Sequence, residues 1–284
     1  MGDITNMPVY VINMDERRDR WNRFMTQEAV RMFKNIKRVP AVNGKKLDFR
    51  KEPRISMATR LRIYRNYRRS HYEIATLGAV GATVSHARVW ETFLKSGAPS
   101  CIVLEDDAVL TPENIENIGE EYKRLPDNWG MWILGYFHKT LIIERMKNPE
   151  GWDKVYSFSG AHSYMITRDV AKKLLEDVYP VETHIEFYMT GSSIIKNFLI
   201  VENPKVHVDY FRTFISPHGS TNDSNTSQHK KNGCPTCDIP DDNKQLYKHF
   251  TRTKDNTMIV SGVVYGKQSN KILTFNKTRK NRKK

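Results

Sequence analysis

Three consecutive acids, Glu105-Asp106-Asp107, follow an apolar run that starts at Cys101. Adjacent carboxylates repel one another, and a bound cation relieves that repulsion. Side chains two residues apart in an extended chain point to the same side, so we expect Glu105 and Asp107 to share a face. Asp106 is then expected to point away from them or to cap the next turn. Oxygen ligands suit Mg²⁺ or Mn²⁺ better than zinc, so the run predicts a divalent-metal site, with an acidic surface turn as the alternative.

The three acids come where a predicted strand ends. In an open α/β sheet, ligands bind just outside the carboxyl ends of the strands. A divalent ion held there can bridge the two phosphates of a nucleoside diphosphate and stabilise the negative charge of that leaving group. The position of the acids therefore favours chemistry that releases a nucleoside diphosphate.

Strand-like and helix-like segments alternate along the chain. Short apolar or β-branched runs predict strands at 8–13, 39–42, 101–110, 131–135, 159–167 and 198–204. A first helix is expected after Asp15, which we predict to cap it. Helical spacing of apolar residues predicts further helices at 78–97, 112–124, 168–178 and 184–198. This order predicts an α/β fold with a mainly parallel sheet and helices on both faces.

The net charge of +14 comes from two segments of the chain. Residues 31–69 carry fourteen Lys and Arg against two acids, and residues 225–284 carry fourteen against four. The rest of the chain is acidic, with a net charge of −8. Basic segments suit a polyanionic partner, a membrane surface or plain solvation. We expect one domain over 1–222, with a basic insert at 45–72 that forms a surface loop or helix, and a basic, partly disordered extension over 223–284.

The cysteines and the first residues of the chain bear on its compartment. Three cysteines are too few for a disulfide framework. Cys234 and Cys237 form a single C-x-x-C pair, which favours a loop or a redox pair over a zinc site. The first residues lack the basic and apolar regions of a signal peptide, and no apolar stretch is long enough to cross a membrane. These features predict an intracellular, cytoplasmic protein.

Three segments, taken together and in order, resemble glycosyltransferase family 25, the family of lipooligosaccharide glycosyltransferases and collagen galactosyltransferases. They are VYVINMDERRDRW at 9–21, the block at 77–110 with its glycines, Ser-His and Glu-Asp-Asp, and SGAHSYMITRDVAKKLLEDVYPVE at 159–182. The Ser-His pair followed about twenty residues later by Glu-Asp-Asp is the most specific of these signals. The insert at 45–72 and the part after residue 222 do not match the family's pattern.

The resemblance implies a GT-A-like fold, a UDP-sugar donor and dependence on Mn²⁺. It implies that Asp107 binds the metal, with Glu105 or Asp106 on the metal or on the ribose. It also places four residues near the donor base and diphosphate, namely Asn13, Asp15, Arg17 and Arg20. The arginine fork suits a phosphate group, and a solvated helix face is the alternative for both arginines.

Three further residues complete the predicted donor and metal sites. Ser85 and His86 are expected at the start of a helix, where backbone N–H groups favour an anion. A structural role for His86, through a bond to a neighbouring carbonyl, is the alternative. His218, in SPHGST after the last predicted strand, is similar to the closing metal ligand of some other GT-A enzymes. We therefore predict His218 as a metal ligand, with His207 as its competitor.

Two acids are candidates for the acceptor side of the reaction. Glu182, which matches the family's acid after Pro-Val, and Glu186 lie four residues apart, a spacing that places them on one face of a predicted helix. If the reaction inverts the anomeric carbon, one of them is expected to be the base for the acceptor hydroxyl. If it retains configuration, they could hold the acceptor instead. The structural alternative is that acids near a helix start complement its dipole.

The favoured function is the metal-dependent transfer of a hexose, galactose or glucose, from a UDP-sugar to a hydroxyl acceptor such as a glycan or a collagen-like hydroxylysine. Three alternatives stay open. The basic segments could bind nucleic acid or another polyanion. The acids could serve a nucleotidyltransferase or a phosphohydrolase, or the chain could be an inactive, lectin-like homologue.

Overall fold

A computed structural model describes residues 4–65, 72–147 and 149–211. It also gives four short strands near the C-terminus, which pair antiparallel in chain order: Phe250–Arg252, Met258–Val260, Val263–Tyr265 and Ile272–Thr274. The predicted ligand His218 and the Cys234–Cys237 pair lie outside the described residues. What we predict for them, and the domain boundary at 222, therefore stays a prediction.

An eight-stranded sheet forms the centre of the molecule. The strands are, in chain order, β1 (Val9–Asn13), β2 (Ile36–Pro40), β3 (Ser100–Glu105), β4 (Ala108–Val109), β5 (Trp129–Gly135), β6 (His138–Lys147), β7 (Glu150–Ser159), β8 (Ser163–Thr167), β9 (Leu199–Glu202) and β10 (Asp209–Tyr210). The central sheet has the order β2-β1-β3-β8-β5-β9-β7-β6, and β4 pairs with β10 in a separate two-stranded sheet.

The directions of the strands confirm the predicted α/β class and add detail. β1 is parallel to both β2 and β3, and β9 is parallel to β5. β8, in contrast, is antiparallel to both of its neighbours, β3 and β5. Six of the eight strands of the central sheet run in one direction, so the sheet is mainly codirectional but mixed.

One long hairpin accounts for the antiparallel strands. Two residues separate β5 from β6, and three separate β7 from β8. β5 pairs with β8, and β6 continues the same pairing with β7. The chain therefore runs out along β5 and β6 and returns along β7 and β8, which makes β8 antiparallel to β5. The prediction of a single strand at 159–167 missed the outer half of this hairpin.

Helices cover both faces of the sheet. They are α1 (Arg18–Thr26), α2 (Met57–Arg65), α3 (Leu77–Lys95), α4 (Pro112–Tyr122), α5 (Arg168–Asp177), α6 (Ile185–Met189) and α7 (Ser192–Ile195). Along β1 the side chains alternate between two cores: Ile12 packs in the core that contains Trp90 of α3, and Val11 in the core that contains Phe24 of α1. Burial on both faces is the rule for sheets of this class.

The helix signals in the sequence are confirmed in three places. α3, α4 and α5 lie within one to two residues of the predicted bounds. Thr111 caps α4 through a capping box with Asn114, and Pro112 occupies the first turn. Local sequence signals are sufficient to place these helices, because their bounds depend little on contacts with distant residues.

Four predicted features are wrong. The second strand spans 36–40, and the third ends at Glu105 because the chain turns there. The predicted helix 184–198 is two short helices, α6 and α7, separated by Thr190 and Gly191. Asp15 does not cap α1, whose N-cap residue is Arg17 with no side-chain cap bond.

The basic insert contains α2 and is anchored by a buried ion pair. Arg62 Nη1 lies 3.2 Å from Glu73 Oε1, and the two side chains are 7% and 0% exposed. Arg62 also donates to the Ile74 carbonyl at 3.1 Å, the Thr59 hydroxyl at 2.9 Å and the Glu182 carbonyl at 3.2 Å. We call Arg62 and Glu73 the clamp, because they tie α2 to the chain around Glu182.

No helix in the described part of the chain is long and apolar enough to cross a membrane.

Candidate active site

The carboxyl ends of β1 and β3 bring the predicted residues together. Asn13 is the last residue of β1, and Glu105 is the last residue of the neighbouring β3. Beyond Glu105 the chain turns, and the Asp106 amide donates to the Ile12 carbonyl at 3.1 Å. We call Glu105, Asp106 and Asp107 the acid cluster. It lies at the edge of the sheet where α/β proteins bind their ligands.

Arg20, in the first turn of α1, bridges two members of the acid cluster. Its Nη2 contacts the Asp106 carboxylate and lies 2.6 Å from Asp107 Oδ2. The second oxygen of Asp106 accepts a hydrogen bond from Asn13 Nδ2 at 2.6 Å. The expected alternation along the acids is therefore wrong. Because the chain leaves the extended conformation after Glu105, Asp106 and Asp107 meet at one guanidinium instead of pointing apart.

Arg38, on β2, orients the Asn13 amide. Its Nε donates to Asn13 Oδ1 at 2.7 Å, and its Nη2 lies 2.5 Å from the Asp15 carboxylate. With its oxygen bound to Arg38, the Asn13 amide presents its nitrogen to Asp106. The sequence analysis did not single out Arg38, and Asp15, predicted near the donor, is 70% exposed and paired with this arginine.

Arg17 lies close by but has its own acidic partner. Its Nε and Nη2 each lie 2.9 Å from an Asp19 oxygen. This bidentate pair lowers the pKa of Asp19 to about 2. Arg17 therefore brings positive charge to the region without contacting the acid cluster.

The acids differ in what holds or opposes their charge. Burial raises the pKa of Asp106 to about 7, a rise that Arg20 opposes and Asp107 increases. Burial and the charge of Glu105 raise the pKa of Asp107. Burial also acts to raise the pKa of Glu105, but the hydrogen bond from His86, together with the positive charge of Arg20, lowers it below its usual value. Asp106 and Asp107 thus carry a free-energy cost for their charge that a cation would relieve.

His86 is linked to the acid cluster through Glu105. Its Nε2 lies 3.3 Å from Glu105 Oε1, and its Nδ1 lies 3.0 Å from the Tyr164 hydroxyl. Trp90 Nε1 donates to the same hydroxyl at 2.9 Å. The Tyr164 hydroxyl can then donate its own proton to His86 Nδ1, and the proton on His86 Nε2 is directed at Glu105. The predicted position of this histidine is wrong in one respect, because His86 lies in the middle of α3 and not at its start.

Ser85 also lies in the middle of α3 and binds a loop. Its hydroxyl donates to the Gly81 carbonyl at 2.6 Å and accepts from the Val42 amide at 2.8 Å. The backbone of this loop packs directly against the start of α3. A Cβ added to Gly44 would lie only 1.7 Å from the Leu77 carbonyl oxygen. Ser85 therefore does not lie at a helix N-terminus, where an anion site was predicted. Its hydroxyl instead holds the loop that forms part of the cavity wall.

A cavity that is open to solvent lies beside the acid cluster. Seven of the predicted site residues line it: Asn13, Arg17, Arg20, Ser85, His86, Glu105 and Asp106. The loop 41–45 completes the wall. Asp107 is not part of this wall and is connected to it through Arg20.

Glu182 lies beside the clamp. α6 begins at Ile185, so Glu182 lies before the helix and does not share a helical face with Glu186 as predicted. Burial lowers the pKa of Arg62, and the charge of Glu182, after that of Glu73, opposes this change. Glu182 thus lies in the electrostatic surroundings of Arg62.

Glu186 belongs to the surroundings of the acid cluster. Burial raises its pKa, and the charge of Glu105 adds to the rise. The Gly160 amide donates a hydrogen bond to the Glu186 carboxylate, and the charge of His86 also acts on it. Of the two predicted acceptor-side acids, the structure brings only Glu186 close to Glu105 and His86.

His162 is a buried residue of the site that the sequence analysis missed. Its carbonyl accepts from the Glu105 amide at 2.8 Å, and its charge acts on the pKa of both Glu105 and Asp107. Nε2 lies 2.9 Å from the Val208 carbonyl, so Nε2 carries a proton, while Nδ1 has no hydrogen-bond partner among the described residues. The signal available in the sequence was a histidine inside an otherwise apolar strand segment, SGAHSYMIT.

The acid cluster has the ligand chemistry for a divalent ion. Its donors are carboxylate oxygens, and Asp107 Oδ1 is buried without a hydrogen-bond partner. Across 4–65, 72–147 and 149–211, however, no three His, Cys, Asp or Glu side chains are arranged to hold a metal. The carboxylates are instead gathered around Arg20.

Comparison with known proteins agrees with this geometry. A family model described as glycosyltransferase family 25 (LPS biosynthesis protein) matches residues 6–189. A curated protein of Anopheles gambiae, named glycosyltransferase 25 family member, is 27% identical over 180 residues, which are 60% of this chain and 28% of that protein. A protein of Aedes aegypti with the same name is 26% identical over 192 residues, 62% of this chain and 30% of that protein. The chain thus spans less than a third of the length of these relatives.

Proposed function

Because this chain belongs to glycosyltransferase family 25, we propose that it transfers a hexose from a UDP-sugar to a hydroxyl acceptor with the help of a divalent metal ion. The observation that carries the proposal is the acid cluster at the carboxyl end of β3, beside a cavity that two arginines line. A UDP-sugar requires cationic groups for its diphosphate and a concave surface for its nucleoside. Both are present at this edge of the sheet.

The donor side of the reaction rests on the acid cluster and the arginines. Asp107, with Glu105 or Asp106, is the proposed ligand set for Mn²⁺ or Mg²⁺, which when bound neutralises charge on the departing diphosphate. Arg17 and Arg20 are proposed to donate to phosphate oxygens, because the guanidinium fork matches two of them at once. Asn13, in turn, fixes the orientation of Asp106.

The acceptor side of the reaction rests on Glu186. The acceptor oxygen attacks the anomeric carbon, the bond from that carbon to the UDP oxygen breaks, and the hydroxyl proton passes to the Glu186 carboxylate. A buried carboxylate with a raised pKa is a stronger base than an exposed one, which supports this role. If the reaction retains configuration, Glu186 is proposed to hold the acceptor instead.

The sugar is proposed to be galactose or glucose, and the acceptor a glycan or a collagen-like hydroxylysine, as the family resemblance implies. The basic insert is the proposed contact for the acceptor, since the clamp attaches it to the segment that leads into α6 and Glu186. Much of its positive charge has internal partners: Arg54 pairs with Glu52, and Arg60 donates to two backbone carbonyls.

A UDP-release assay over a panel of UDP-sugars with Mn²⁺ tests the proposal. We expect release in the intact chain and a loss of at least ~100-fold in Asp107→Asn, because the acid that meets the leaving-group charge is neutralised. The matched control is Asp169→Asn, a 77% exposed acid on α5, which should keep full activity. Release of inorganic phosphate without UDP would favour the phosphohydrolase alternative.

A further inference from the structure

Arg20 occupies the carboxylates that a metal ion would need. Its Nη2 contacts both Asp106 and Asp107, and the side chains of Arg20 and Asp106 are each only 8% exposed. The remaining oxygen of Asp106 is bound to Asn13. Three of the four oxygens of these carboxylates are therefore occupied while the guanidinium stays in place, and a divalent ion would have to compete with it.

The bonding of Arg20 is also incomplete. Its Nε is buried without a hydrogen-bond partner, as is Asp107 Oδ1. A buried donor and a buried acceptor left unbonded in one cluster are costly, so this arrangement is one that another ligand can replace.

The cavity offers Arg20 a second place to bind. Arg20 lines the cavity together with Arg17, and a diphosphate in it presents pairs of oxygens that match a guanidinium fork. A guanidinium and a divalent ion at contact distance repel each other, so both cannot remain on the same carboxylates. Movement of Arg20 to the phosphates would release Asp106 and Asp107 to the metal.

We propose that Arg20 is an internal counter-cation that competes with the divalent metal for Asp106 and Asp107, so that metal and nucleoside diphosphate bind cooperatively. This inference rests on the proposed function. It assigns Arg20 a positioning role: without nucleotide it keeps the acid cluster neutralised, and with nucleotide it transfers to the phosphates.

Titration of Mn²⁺, followed by the electron paramagnetic resonance signal of the free ion, tests the proposal without any turnover. Wild type should bind Mn²⁺ weakly alone and more tightly with UDP. Arg20→Gln should bind Mn²⁺ alone at least ~10-fold more tightly than wild type, because the competing charge is gone. The factor by which UDP tightens Mn²⁺ binding should shrink in the same variant, as reciprocal coupling requires.

Arg17→Gln is the matched control. It removes one positive charge from the same cavity, but this guanidinium pairs with Asp19 and does not contact the acid cluster. Its affinity for Mn²⁺ alone should equal that of wild type. An equal gain in both variants would mean a general field effect and would overturn the competition.

The remaining outcomes separate the inference from the function on which it rests. If wild type binds Mn²⁺ with UDP and Arg20→Gln shows no gain, the inference fails and the proposed function stands. If Mn²⁺ does not bind even with UDP, both fail. Should Arg20→Gln not fold, a crystal structure of wild type with Mn²⁺ and UDP decides: the guanidinium must lie on the phosphates, and a guanidinium still on Asp106 and Asp107 refutes the proposal.

Discussion

Arg20 and Arg62 are both buried arginines that meet carboxylates, yet their surroundings differ. In the clamp, Arg62 faces Glu73, and its other guanidinium nitrogens donate to backbone carbonyls and to the Thr59 hydroxyl. In the acid cluster, one guanidinium faces three carboxylates, which together raise the pKa of Arg20 against the opposing effect of burial. Polar atoms there remain without partners.

The comparison teaches how a structural ion pair differs from a functional one. A buried pair of one cation and one carboxylate stabilises a single arrangement, whereas excess acid around one cation leaves charge for a ligand to neutralise. The same contrast separates two glutamates only four residues apart. Glu182 lies with the clamp and Glu186 with the acid cluster.

The largest expected effect comes from breaking the clamp. Arg62→Met leaves the fully buried Glu73 carboxylate without its cation, so we expect the free energy of unfolding to fall by about 3–5 kcal/mol. Urea denaturation followed by circular dichroism measures the loss. The double variant Arg62→Met/Glu73→Leu should regain most of it, because no buried charge is then left unpaired.

The exposed pair Lys172–Asp169 on α5 is the control for the clamp. Its side chains are 57% and 77% exposed, so Lys172→Met should change the free energy of unfolding by less than about 1 kcal/mol. If Arg62→Met costs no more than Lys172→Met, the clamp is not a structural element and the comparison fails.

The two glutamates give the next largest effect. Glu186→Gln should lower kcat by about 100-fold, because the proposed base is lost. Burial raises the pKa of Glu186, so its ionised form disappears at a higher pH than that of an exposed glutamate. As the pH is lowered, we therefore expect the wild-type rate to begin to fall at a higher pH than it would with an exposed glutamate as the base. Glu186→Gln should not show this fall.

Glu182→Gln is the matched control for Glu186→Gln. It should leave kcat and the pH profile close to wild type, since Glu182 lies near Arg62 and before α6. A loss of kcat in Glu182→Gln that equals or exceeds the loss in Glu186→Gln would reverse the assignment of the two acids.

The smallest expected effect comes from loosening the acid cluster without removing a charge from it. Arg38→Gln frees the Asn13 amide, so Asp106 loses its fixed orientation, and we expect KM for the UDP-sugar to rise about 10-fold, or about 1.4 kcal/mol. Steady-state kinetics should show kcat nearly unchanged. Arg88→Gln is the control, because the Arg88 guanidinium, on α3, donates to the carbonyl of Pro40, which lies on β2 as Arg38 does.

The sequence predicted part of the site. The apolar run before the acid cluster marks the end of a strand, where α/β sheets bind ligands, and the family resemblance added Asn13 and the arginines. Seven predicted residues do line one cavity. The predicted metal, sugar and ligand His218 stay predictions.

The sequence could not show how these residues are bonded. Arg38 reaches Asn13 across 25 positions, and Arg62 reaches Glu182 across 120, so neither contact has a local signal. The side on which Asp106 and Asp107 lie depends on a turn after Glu105 that strand periodicity does not describe. The hairpin was missed for a similar reason, because its two arms meet only through long-range pairing.

The inner bend of the long hairpin contacts two of the acids, Glu105 and Glu186. At its inner bend the His162 carbonyl accepts from the Glu105 amide, and two residues earlier the Gly160 amide donates to Glu186. Gly160 has a φ of +93°, and a Cβ there would lie 2.7 Å from the Phe137 ring, so only glycine fits this bend. One short stretch of main chain thus bonds to both acids, so a change in this bend would shift Glu105 and Glu186 together.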